Sequence, residues 1–350
     1  MSRPRLSLGL LPLADAAPLY VARECGFFAG QGLDVRLSVE TAWASLRDKL
    51  AAGLLDAAQL LAPMPLAAHL GADGLGVPID TALTLSRNGN ALTVSTALFE
   101  QLDQPPPLPA AAGAALKRLL AADRAAGRPK RVFAHVFPFS SHHYLLRAWL
   151  LSAGIDPDRE VTLAVVPPPR MLDALRAGDI DGYCAGAPWG SAAEAAGAGR
   201  RLLATHLIRP GCAEKVLAVT RHWAAGHREQ HLALVAALIE AGRWLEQPGH
   251  RLDASQMLVD ARLIDVPAHC VREALRDDAS DPLAAQIVFG ASAGASPHHD
   301  DARWFLAQMQ RCGQVPAAIE VEDTVVSSYR LGLHRAAARR ATSVRHPVLQ

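Results

Sequence analysis

The chain has 350 residues, enough for about two domains, because a single core rarely grows past roughly 250–300 residues. Lys plus Arg number 35 against 34 Asp plus Glu, a formal net charge of +1, which excludes the broad basic field that direct nucleic-acid binding needs and makes any charge-based recognition local. Unbroken apolar runs of roughly 18 residues are missing, so no membrane span is expected, and five cysteines without C-x-x-C spacing suit the reduced thiols of cytoplasm better than a disulfide framework.

The apolar stretch Leu6–Leu13 is interrupted by Ser7, Gly9 and Pro12 and reads as a strand, not as a signal peptide. A helix near Ala17–Gln31, a strand over Leu33–Val39, a helix over Ser45–Ala52 and a strand over Ala57–Leu61 follow, the alternation of an α/β fold with a largely parallel sheet. Two apolar runs within Ala82–Ser95 flank Asn88-Gly89-Asn90 and mark a crossing into a second lobe; Gln104–Ala112, heavy in Pro and Ala, reads as a surface excursion. The second lobe is expected to hold strands over Arg131–Val136, Val161–Val166 and Asp181–Cys184 and helices over His142–Ser152 and Met171–Ala177. The chain then returns through Leu202–His206 and Val216–Thr220, and helical patterns dominate from Leu232 onward. Lobe I is thus expected over 1–92 and 205–350, lobe II over 93–204, and two connecting strands would allow a hinge. His298-His299-Asp300-Asp301 reads as a polar loop before a helix over Ala302–Gln310, since no other ligand pair stands at metal-site spacing. The basic tail 335–350 is expected to fray.

Four segments suit an anion. Trp43 follows a strand and opens a helix, where open α/β sheets bind ligands; packing of Trp43 alone, with Arg47 and Asp48 on a solvated face, would explain it equally. Gln59 places an amide donor inside an apolar run and must find a partner, structural or bound. Ser140 and Ser141 are N-cap candidates that put His142 in a first helical turn, which favours negative charge; at least one of His142 and His143 is expected to be merely solvated. Gly186 ends a strand and permits close backbone approach. Lys215 precedes a strand and could supply one ammonium, although a lysine there is usually just exposed.

Taken in order, Pro18–Ala22, Gly26-Phe27-Phe28, Trp43–Leu50, Gln59–Pro65, Asn88-Gly89-Asn90, Val165–Met171 and Lys215 resemble the nitrate-binding proteins of the NrtA type. Relatives of that family include bicarbonate-binding proteins and the cytosolic nitrate/nitrite sensor NasS. The resemblance covers most of the chain. It implies a type II periplasmic-binding-protein fold, two α/β lobes with mixed sheets joined by a two-strand hinge, and ligand contacts at Trp43, Gln59, His142, Gly186 and Lys215. It departs at Ala187, where many relatives look to have an acidic residue, and so speaks against a cleft carboxylate or metal-assisted bicarbonate binding.

Nitrate is planar, singly charged and has three acceptor oxygens but no donor, so its site needs donors and modest positive charge with no carboxylate facing it. Donors from separate stretches of chain are therefore expected to converge on a small interlobe pocket. Bicarbonate, with a hydroxyl to donate, ranks lower, while nitrite fits the same cage. Without a recognisable leader the closest resemblance is to the cytoplasmic sensor NasS. That likeness implies an RNA-binding antiterminator of the NasT type as partner, released when nitrate or nitrite binds, with no direct contact to nucleic acid or membrane. The alternative is the nitrate or bicarbonate substrate-binding component of an ABC transporter. No nucleophile–base pair is legible, so neither catalysis nor a cofactor is expected. Loss of the Lys215 side chain is expected to abolish nitrate binding and to leave thermal unfolding nearly unchanged.

Overall fold

The computed structural model describes residues 3–276, 278, 280–290 and 295–343. The chain forms two compact units, one of residues 1–87, 213–263 and 288–350, the other of residues 88–212 and 264–287.

The first unit carries strands β1 (Arg5–Leu10), β2 (Asp34–Val39), β3 (Ala57–Leu61), β4 (Ile79–Arg87) and, from the returning chain, β10 (Ala213–Thr220). They form one mixed sheet in the order β2-β1-β3-β10-β4, parallel between β1 and both its neighbours and antiparallel on either side of β10. Helices α1 (Ala17–Glu24), α2 (Phe27–Gly30), α3 (Trp43–Ala51) and α4 (Met64–His69) connect the early strands. The single helix expected over Ala17–Gln31 is broken because Gly26 adopts φ +74°, a left-handed conformation that glycine alone takes at little cost.

The second unit has the same plan. Strands β5 (Asn90–Ser95), β6 (Val132–His135), β7 (Thr162–Val165), β8 (Gly182–Gly186) and β9 (Gly199–Ala204) are ordered β7-β6-β8-β5-β9. Helices α5 (Thr96–Gln101), α6 (Pro109–Ala125), α7 (Ser141–Ser152), α8 (Met171–Ala177) and α9 (Trp189–Ala195) belong with them. The core includes Leu92, Phe133, Leu146, Trp149 and Leu150. Pro109, expected within a surface excursion, instead opens the 17-residue α6. A proline at the first helical position lacks only an N–H that has no helical partner anyway, and the alanines after it are strong helix formers.

The remaining helices are α10 (Arg221–Gly226), α11 (Arg228–Leu245), α12 (His250–Asp260), α13 (Ala268–Leu275), α14 (His299–Arg311), α15 (Val321–Ser328) and α16 (Leu331–Ser343). Every residue of α11 from His231 to Gly242 is buried, as a helix enclosed on all sides requires. The unit boundaries expected at 92/93 and 204/205 fall at 87/88 and 212/213, and residues 264–287, assigned by sequence to the first lobe, belong to the second unit. The reason is pairing: Gly89 N–H bonds Ala285 O at 3.0 Å, and Arg201 reaches Glu273 at 2.7 Å. Besides the two strand connections, the chain therefore makes an extra excursion that brings α13 to the second unit.

Two further expectations change. Residues 335–343 of the basic tail are helical, with Ala337 and Ala341 buried one turn apart and Arg340 donating to Gln31 at 2.8 Å; residues 344–350 lie outside the described residues. Helix α14 begins three residues earlier than expected, at His299. Asp301 there pairs with Arg87 at 2.8 Å, and Asp300 with Arg303 at 2.7 Å, so both carboxylates hold arginines.

Candidate functional site

In the first unit, three of the five anticipated residues meet in one buried cluster. Gln59 sits mid-strand in β3, where every residue is buried, and β10 lies alongside with Leu217 opposite Gln59 and Lys215 opposite Leu61. Successive side chains of a regular strand point to opposite faces, but β10 shifts register against β4 on both sides of Lys215. Such an irregularity re-aims side chains, and Glu214 and Lys215, adjacent in sequence, touch at 2.7 Å.

Lys215 is fully buried and also bonds Asp15 at 2.9 Å. Asp15 stands on the short 3-10 turn Ala14–Ala16 that follows β1. Burial works against the ammonium, yet the fields of Asp15 and Glu214 outweigh it and hold its pKa above the usual lysine value. Burial pushes the Asp15 carboxyl up, against the opposing pull of Lys215. The cluster holds two carboxylates for one ammonium, so a carboxyl that readily takes a proton is the natural relief for the excess negative charge.

Gln59 donates its amide to Asp15 O at 3.2 Å and to Asp15 Oδ1 at 3.1 Å. Both partners are acceptors, which fixes the amide orientation and leaves the buried Gln59 Oε1 without a partner among the described residues. The residue expected to donate to a ligand thus offers an acceptor. Trp43, the first residue of α3, is buried with its Nε1–H unpartnered among the described residues, and the Lys215 ammonium lies 5.3 Å from the centre of its ring. The expectation of a carboxylate-free cation is corrected: Asp15 and Glu214 both hold Lys215. Glu214 was visible as its neighbour, whereas Asp15, 200 positions away, carried no local signal.

The other two anticipated residues, His142 and Gly186, belong to the second unit. Ser140 caps α7 by accepting from His143 N–H at 3.0 Å and donates its hydroxyl to Phe137 O at 2.6 Å. His142 follows in the first turn, buried. Gly186 ends β8 opposite Asn90, whose side-chain amide donates to Ser141 at 3.5 Å, so the strand end and the helix start adjoin. Ser140→Ala is expected to cost about 1 kcal/mol through the lost cap, read as a lower urea midpoint. A midpoint equal to that of the parent would remove Ser140 from that role.

Neither neighbouring histidine is merely solvated. His135 donates Nδ1–H to Phe137 O at 3.1 Å, so its Nε2 must accept from His143 Nδ1–H at 2.9 Å. Burial keeps both rings neutral, with His135 at about 4 and His143 at about 3.

Two mixed sheets in the strand orders seen here, each with helices between its strands, have the α/β plan of the periplasmic-binding-protein fold. The nitrate-binding protein NrtA of Synechocystis PCC 6803 superposes with a TM-score of 0.87 at 24% identity, over 97% of this chain and 91% of that one. The NMT1-like family model matches residues 2–259, and the chain belongs to the NMT1-like family.

Among curated relatives, the bicarbonate transport ATP-binding protein CmpC of Synechococcus elongatus is 35% identical over 97% of this chain and 50% of its own length. The bicarbonate-binding protein CmpA of the same species is 32% identical over 77% of this chain and 60% of its own. The nitrate/nitrite binding protein NrtA of Nostoc is 28% identical over 96% and 77%. The chain spans about half the length of the first of these relatives. No helix among the described residues is long and apolar enough to cross a membrane.

Proposed function

We propose that the chain is a receptor for a small planar oxyanion of the nitrate, nitrite and bicarbonate class, held by Trp43, Gln59 and Lys215 together with His142 and Gly186. The observation that carries this reading is the Trp43 Nε1–H, buried without a partner among the described residues beside the buried Lys215 ammonium. An unmet buried donor costs about 1–3 kcal/mol, and an oxyanion oxygen removes that cost. The buried, partnerless Gln59 Oε1 favours a second, narrower reading in which the ligand has a hydroxyl to donate, as bicarbonate does and nitrate does not.

Titration calorimetry of the full chain with nitrate, nitrite, bicarbonate and sulfate tests both readings. One planar monoanion is expected to bind with unit stoichiometry, sulfate is expected to be refused, and Trp43→Phe is expected to weaken binding about tenfold, the worth of one charge-assisted hydrogen bond. Silence toward all three planar ions would end the proposal. Nitrate binding tighter than bicarbonate would end only the narrower reading.

These relatives are transport and binding proteins by name, which supports service as the substrate-binding part of an importer. The other role is that of a cytoplasmic sensor that holds an RNA-binding antiterminator of the NasT type until the anion arrives. Coupling of that kind requires the partner to prefer the ligand-free protein. Co-purification that weakens on addition of nitrate would select the sensor, and undiminished complex at saturating nitrate would count against it.

A further inference from the structure

A polar groove lies in the first unit, apart from the cluster around Lys215. The groove, of about 690 Å³, is lined by Asp80, Arg221, Arg228, His231, His299 and Arg330, among others. It sits near the far end of β10 from the oxyanion cluster: Lys215 stands close to the start of that strand and Arg221 directly after its end, about 20 Å away at the usual strand rise.

The three guanidinium groups lining the groove face a single carboxylate, a net of +2 before the imidazoles are considered. Asp80 is shared, bonding Arg221 at 2.8 Å and Arg330 at 3.5 Å. Arg228 is exposed and has no carboxylate within ion-pair distance among the described residues. Helices α11 and α16 both begin here, with Arg228 and Leu331 as their first residues, and helix starts present N–H groups and a positive dipole end.

His231 supplies the independent observation. It lies in the first turn of α11, is fully buried, lines the groove, and has no hydrogen-bond partner at either ring nitrogen among the described residues. Its ring meets Trp223 edge-on, with centroids 6.0 Å apart. A neutral imidazole always has one N–H to donate, and leaving it unmet away from water is costly. Burial, reinforced by the fields of Arg330 and Arg228, holds His231 down at about 4, so the positive field of the groove reaches its floor.

We propose that this groove is a second anion site, separate from the oxyanion cluster, that takes a phosphate dianion, either free or carried on a small ester. The +2 lining matches a dianion, the guanidinium fork matches phosphate oxygens, and the His231 N–H gains the acceptor it lacks. The site stands whether or not the first ligand has been identified correctly, because it shares no residue with that cluster.

Calorimetric titration of the full chain with inorganic phosphate, and separately with phenyl phosphate, at neutral pH tests it. Unit stoichiometry is expected, with affinity falling as salt rises. Arg228→Ala, an exposed change that spares the fold, is expected to weaken phosphate about tenfold and to leave binding of the planar oxyanion unchanged. His231→Phe fills the same space without a donor and is expected to weaken phosphate as well. Trp43→Phe should leave phosphate binding intact. Binding of the ester alone assigns the site to esters, and binding of both assigns it to phosphate in either form. No binding of either at millimolar concentration, or equal affinity in Arg228→Ala, overturns the proposal.

Discussion

Exchange of Lys215 for methionine is expected to lower the free energy of unfolding by about 3–5 kcal/mol, the usual cost of removing one partner from a buried ion pair. The ammonium is fully buried and holds Asp15 and Glu214 at 2.9 and 2.7 Å; without it two carboxylates share a dry site. Protonating one of them at neutral pH relieves the repulsion but costs about 1.4 kcal/mol for every unit between its pKa and the pH. This reverses the expectation from sequence that loss of the Lys215 side chain leaves thermal unfolding nearly unchanged, which assumed a lysine without carboxylates. Urea denaturation of the parent, Lys215→Met, and Lys215→Met combined with Asp15→Asn decides the matter. The second change is expected to restore part of the loss, because it removes the surplus charge. An unchanged midpoint in the single variant would show that the cluster is not closed in solution.

Acid is expected to destabilise the protein steeply between about pH 6.5 and 4. His135 and His231 are held at about 4 and His143 at about 3, against an ordinary 6.5, each chiefly by burial. Above pH 6.5 neither the folded nor the unfolded chain protonates these rings. As pH falls below that value the unfolded chain takes up protons that the folded one refuses, so stability drops until the folded rings titrate in turn. Each proton of difference is worth about 1.4 kcal/mol per pH unit, so three histidines approach about 4 kcal/mol per unit. His69, His206 and His334 are shifted in the same direction. Asp15, raised in the folded state, binds its proton more readily when folded and offsets part of the loss. Urea midpoints are expected to stay nearly level from pH 7.5 to about 6.5 and to fall from there to pH 4.5. The double change His135→Leu and His143→Leu removes two of the three main contributors and should flatten the curve, whereas a parent protein equally stable at both ends would refute this account.

Strand–helix alternation was readable because periodicity is local: β1, β2, β3, α7 and α8 lie where apolar spacing and turn residues put them, within a few positions. Met171–Ala177 coincides end to end. Where a single residue overrode periodicity the reading slipped, as at Gly26, which splits one expected helix into α1 and α2, and at Pro109, which begins a helix instead of a loop. The placement of 264–287 with the second unit was not legible, because it rests on bonds such as Gly89 N–H to Ala285 O, between residues far apart in sequence.

The candidate site divides in the same way. By itself the sequence determined the alternating α/β architecture and the family likeness, and it singled out Trp43, Gln59, His142, Gly186 and Lys215 as candidates, of which Trp43 and His142 lie at helix starts and Gly186 at a strand end. Only the tertiary structure decided what surrounds them: Asp15 brought from the end of β1 onto Lys215, Gln59 turned to leave its carbonyl oxygen open, and His231 buried among arginines from α10, α11 and the approach to α16. The physical reason is one of range. Backbone preferences are settled over a few neighbouring residues, whereas the charge state of a lysine or the open face of an amide depends on groups that only folding brings within 3 to 5 Å of each other.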